Sequence, residues 1–281
     1  MFVHNSSRVI VTLLALVAGS ACAQASRREN ALVVSPVSPL ELANIVRNTN
    51  YQNVNDLWRK LSIDATPLDG LLNNCPCDAQ ARSFPDSEKQ PVTVVRVGQT
   101  LVGTTFLVFG QGVVTDTRQT WVLLGHIDFP HDRDIPEYSL IDTASDRFLV
   151  IHPERDRGSG IGAESVEWYM LQDRGVGHVL SYPGKAYMSG AWLGPFGPSA
   201  FISSNVVSLS TTGNEQLLKV HFSLSLRDDE HNSTLCTVDK TATFVRSDSM
   251  IFALDPNRSE IAADELSSFF DITSASFRRS C

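Results

Sequence analysis

Past its first two dozen residues the chain has no apolar run approaching the roughly 20 residues that a membrane-spanning helix needs. No membrane span is expected in that remainder. Basic residues are short as well: 23 Lys and Arg stand against 31 Asp and Glu, for a formal net charge of -8. Neither phosphate backbones nor anionic lipids attract such a surface, so no nucleic-acid partner is expected. Several motifs are missing from the sequence. Without Gly-x-Ser-x-Gly there is no nucleophile elbow, and without His-Glu-x-x-His no helical zinc-protease site. Without Asp-x-Asp-x-Asp-Gly there is no standard calcium loop, and no fixed-period repeat marks propeller blades. At 42% hydrophobic and 19% charged residues, the composition is still that of a globular protein.

The N-terminus departs from this pattern. Arg8 is followed by an uncharged apolar stretch, Val9 to Val17, and by the small residues Ala18, Gly19, Ser20 and Ala21. This is the order of a secretory signal, so residues 1–23 are expected to be a signal peptide cleaved after Ala23. The competing reading is lipid anchoring at Cys22, which follows Gly19-Ser20-Ala21. Either route leads out of the cytoplasm, and the expected location is secreted or periplasmic. In that oxidising setting Cys75, Cys77, Cys236 and Cys281 are candidates for two disulfides. A bridge from Cys75 to Cys77 is strained by the single intervening Pro76. Both are therefore expected to pair with Cys236 and Cys281.

The rest of the chain divides in three by periodicity. Residues 24–90 read as a helical appendage and connector. Ser38-Pro39-Leu40-Glu41 places a cap residue, a first-turn proline and a glutamate at the spacing that starts a helix, and Leu42, Ile45 and Val46 give it an apolar face. A second helix is expected from Asn55 to Leu61. Residues 91–255 change to a period of two, most clearly where Val220, Phe222, Leu224 and Leu226 alternate with Lys219, His221, Ser223, Ser225 and Arg227. Successive strands without intervening helices predict a mainly β, antiparallel body of sandwich, barrel or propeller-like form. Residues 256–281 are expected to hold one C-terminal helix, Glu260 to Phe270, and a tail.

Three polar clusters are candidate sites. In Gly125-His126-Ile127-Asp128-Phe129-Pro130-His131-Asp132, His126 and Asp128 leave a strand on one face with His131 just beyond, a set able to converge on a divalent metal. The same residues serve equally as turn caps in a solvated loop. Gly158-Ser159-Gly160-Ile161-Gly162 is glycine-rich, but a strand follows it instead of a helix, so a hairpin is expected and a phosphate cradle is not. Asp228 to Asn232 is expected to be a hairpin tip. The aromatics Trp168, Tyr169, Tyr182, Tyr187 and Trp192 either fill a core or stack on a partner. The resulting expectation is a non-catalytic binding or interaction module of the cell envelope or extracellular space, with a protein or carbohydrate partner. The alternative is a metal-dependent hydrolase built on His126, Asp128 and His131; neither reading specifies a cofactor beyond that metal.

Overall fold

The computed structural model describes residues 33–35, 38–48, 78–84, 91–99, 103–115, 118–130, 134–158, 161–172, 175–188, 199–228, 230–247 and 250–269. Two antiparallel sheets make up most of it. The first contains β1 (Val33–Ser35), β2 (Asp78–Phe84), β3 (Val92–Gln99), β4 (Gly103–Thr115) and β5 (Arg118–Pro130), in the spatial order β1-β5-β4-β3-β2. The second contains β6 (Glu137–Asp142), β7 (Arg147–His152), β8 (Glu154–Gly158), β9 (Ile161–Gln172), β10 (Gly175–Met188), β11 (Ser199–Thr212), β12 (Glu215–Asp228), β13 (Ser233–Arg246) and β14 (Ala253–Leu254). Its order is β14-β13-β12-β11-β10-β9-β7-β6, with β8 paired to β9. The result is a sandwich-like β protein and not a closed barrel.

Strand alternation creates two apolar cores that share one layer. On one face of β7 and β9, Leu149, Ile151, Tyr169 and Leu171 join Val94, Phe106, Val108 and Ile127 of the first sheet. On the other face, Phe148, Val150, Trp168 and Met170 join Val220, Phe222, Leu224 and Phe244 of β12 and β13. The second sheet therefore curls back over itself. Arg246 of β13 closes the curl: it pairs with Asp146 at 2.7 Å and its guanidinium lies over both the Phe148 and Phe252 rings, 5.8 and 5.7 Å from their centroids. The backbone N–H of Phe252 also donates to the Val179 carbonyl at 2.9 Å, tying the chain beyond β13 to β10.

Helix α1 (Pro39–Asn48) begins where its cap predicts. The Glu41 backbone N–H donates to Ser38 Oγ at 3.2 Å, which satisfies a donor the first turn leaves free. Its buried residues Leu42, Ala43 and Val46 belong to a helix packed on β2 and β3. The C-terminal helix α2 (Ala263–Phe269) starts three residues later than the expected Glu260. Its N-terminus is held by Glu265, which accepts from the Ala262 backbone N–H at 3.1 Å and from Lys240 Nζ at 2.7 Å.

Some local expectations need revision. The stretch read as helix and connector also holds β1 and β2, which pair with β5 and β3. β2 escapes a hydrophobicity reading because Asp78, Gln80, Arg82 and Ser83 give it the polarity of a sheet edge. Beyond β13, Ala253 and Leu254 pair with Val245 and Phe244. The helix expected at Asn55 to Leu61 lies outside the described residues, as do residues 1–23.

Candidate functional site

The strongest sequence candidate for metal binding is assembled only in part. His126 and Asp128 on β5 do share a face, with Nε2 and Oδ2 3.3 Å apart. Thr105 of β4, directly opposite Asp128, donates its hydroxyl to Oδ1 at 2.7 Å. His131 and Asp132 lie outside the described residues. Among the described residues no group of three or more His, Cys, Asp or Glu side chains is placed to hold a metal ion. What is seen is a carboxylate steadied by a hydroxyl and an imidazole on the face opposite the buried Ile127 and Phe129.

The aromatic run separates by strand parity. Trp168, Tyr169 and Tyr182 are buried, and the Trp168 indole N–H donates to the Tyr182 hydroxyl oxygen at 3.2 Å. These three are core residues. Tyr187 points the other way on β10 and is 36% exposed, in contact with Phe201 of β11 at a centroid distance of 5.0 Å and a tilt of 41°. Trp192 lies outside the described residues.

Tyr187 and Phe201 head a polar face that single-strand reading did not assemble. Directly opposite residues of paired strands share a face. Phe201 is opposite Ser225, and Ser225 is opposite Thr237, so the ring pair continues into two hydroxyls. One step along, Lys185, Ser203, Ser223 and Asp239 form a second row. A third row holds Asn205, His221 and Thr241, with His221 Nδ1 3.3 Å from Asn205 Oδ1 and its Nε2 3.5 Å from Asp239 Oδ1. The residues between them, Ala200, Ile202, Phe222, Leu224 and Ala242, face inward and fill the core. With strand spacing near 4.8 Å and two-residue steps near 7 Å, the three rows cover about 14 Å in each direction. The signal that would have found this face is the hydroxyl and amide run at alternate positions of β11, in register with the polar alternation of β12.

A second cluster, centred on the buried Glu167 of β9, was also missed. Glu167 of β9 accepts the Ser181 hydroxyl at 3.0 Å, and its other oxygen lies 2.9 Å from His178 Nε2. The Tyr169 ring packs edge-on against His178 with centroids 5.1 Å apart. Burial opposes ionisation of Glu167, but the His178 and Ser181 contacts outweigh it and hold the carboxyl below its ordinary range. The serine is bonded to the carboxylate and not to the imidazole, so the pairing of nucleophile with base that acyl transfer requires is absent from this trio.

The remaining candidates resolve simply. β8 and β9 form the hairpin expected around the glycine-rich stretch, and no helix follows it. Asp228 closes the β12–β13 turn by accepting the Glu230 and His231 backbone N–H groups at 2.9 and 3.2 Å; Asn232 in that turn has φ of 51°. Cys236 on β13 is disulfide-bonded. Cys75, Cys77 and Cys281 lie outside the described residues.

These features define a class: a sandwich-like, antiparallel β protein with a hydroxyl-rich outer sheet face on which the exposed Tyr187 packs against the half-buried Phe201. No family model matches the chain, and no curated protein or solved structure matches it. Among the described residues no helix is long and apolar enough to cross a membrane.

Proposed function

We propose that the protein is an exported, non-catalytic binding module of the cell envelope or extracellular space, and that the outer face of β10–β13 binds carbohydrate. One observation carries the reading: the exposed Tyr187 ring stands against the half-buried Phe201 ring beside ordered rows of hydroxyl, amide and carboxylate groups. Sugars offer apolar C–H faces to aromatic rings and dense hydroxyls to such side chains, and a patch about 14 Å across accommodates two to three sugar rings. Export is supported by the n-, h- and c-region order of residues 1–23 and fits the bonded state of Cys236. The pairing of Cys75 and Cys77 with Cys236 and Cys281 belongs to the same proposal.

The test is binding of the purified mature protein to a panel of neutral and acidic polysaccharides by affinity electrophoresis. At least one glycan should retard it. Tyr187→Ala and Phe201→Ala should each weaken that binding about tenfold, roughly 1.4 kcal/mol, as expected of an aromatic anchor. Unretarded migration on every glycan, or full retention by the double variant, overturns the reading. Stoichiometric zinc lost on changing His126 and His131 to Ala would favour a metal-dependent hydrolase instead.

A further inference from the structure

Among the described residues the sheet edges are short or carry charge, the length of β13 that β14 leaves uncovered included through its Asp239 and Lys240, with one exception. β1 has three residues and β14 two. β2 carries Asp78 and Arg82, and β6 follows Pro136 and carries Glu137 and Asp142. Short length, charge and proline are the usual devices that stop a strand from pairing with another chain. β11 uses none of these. It meets β10 only from Ala200 to Ser203, while its pairing to β12 continues to Thr212. From Ser204 to Thr212 the side of β11 away from β12 has no strand partner among the described residues. This half-strand, Ser-Asn-Val-Val-Ser-Leu-Ser-Thr-Thr, has no charge and no proline, and Val206 and Val207 are 40% and 56% exposed. Its one guard is a bulge between Val206 and Ser208, which turns the edge locally.

We propose that two copies of this chain pair antiparallel through the Ser204–Thr212 edges of β11. The edge is complementary to itself. Each copy offers the N–H and C=O groups the other lacks, and the paired segments bring no like charges together although the chain carries -8 overall. The contact also covers the two exposed valines. Antiparallel pairing of identical strands places the two-fold axis perpendicular to the sheet, so the outer faces of both copies point the same way. Asn205 of one copy then lies opposite Thr211 of the other, and the partner enlarges the hydroxyl-lined surface. The dimer does not depend on what that surface binds.

Sedimentation equilibrium of the full mature chain tests this directly. The wild type should run at twice the monomer mass from micromolar concentration upward. Val207→Lys and Ser210→Pro should each halve that mass with an unchanged far-ultraviolet circular dichroism spectrum, because both positions are exposed. A wild type that stays monomeric at the highest soluble concentration overturns the proposal. So does a dimer whose mass survives both folded variants. A glycan-binding result of either sign leaves this outcome unaffected.

Discussion

The phenol of Tyr182 shows how strongly burial governs single residues here. Desolvation pushes its pKa up to about 12, against the smaller lowering from the Trp168 N–H, so it remains a neutral hydroxyl that accepts that hydrogen bond. Glu167 is the opposite case, a carboxyl held ionised in a buried place by His178 and Ser181. Its folded-state pKa lies below the ordinary value of 4.5, so its stabilisation is complete above that value and disappears as pH falls through the folded pKa. Glu167→Gln should therefore cost about 1–3 kcal/mol at neutral pH, the loss of a charged hydrogen bond. The gap between variant and wild type should close in acid, below pH 4.5, when urea midpoints are measured across pH. A gap of constant size would show that Glu167 contributes nothing as an ion. At this scale the sequence was half legible. The inward positions of Trp168 and Tyr182 follow from parity along their strands, whereas Phe201 was hidden. The adjacent valines at 206 and 207 blur the alternation of β11, and only the register with β10 sets Phe201 beside Tyr187.

Among the elements, the long strands with clean alternation were readable and the polar ones were not. β12 was read by its alternating pattern, because it buries one row of apolar side chains and leaves the other row polar. β2 and β6 are edges whose polarity resembles loop, and they became visible only through their partners β3 and β7. The closure between β7 and β13 was invisible for another reason: it joins residues a hundred positions apart. Arg246 there pairs with Asp146 and is hydrogen-bonded to Gln216 Oε1 at 2.8 Å, with both members of the ion pair largely buried. Hydrogen bonds from Ser145 and Arg246 overcome the burial that works against the Asp146 carboxylate and keep its pKa low. Arg246→Ala takes the charged partner from that carboxylate and removes the cation packed over two phenyl rings. A loss of about 3 kcal/mol is expected by chemical denaturation, with Asp146→Asn/Arg246→Met recovering much of it.

For the whole molecule, the composition and the two-residue rhythm were enough to establish a mainly β, antiparallel body. They did not distribute the strands between two sheets, because antiparallel pairing depends on which distant strands meet and local pattern is silent on that. The decisive feature is the layer formed by β7 and β9, which gives alternate side chains to each core. Differential scanning calorimetry should accordingly show one unfolding transition with matching calorimetric and van't Hoff enthalpies, and Trp168→Ala should lower its midpoint without splitting it. Two resolved transitions would separate the cores energetically. That shared layer works like a party wall between adjoining houses: neither side can be demolished without laying the other open.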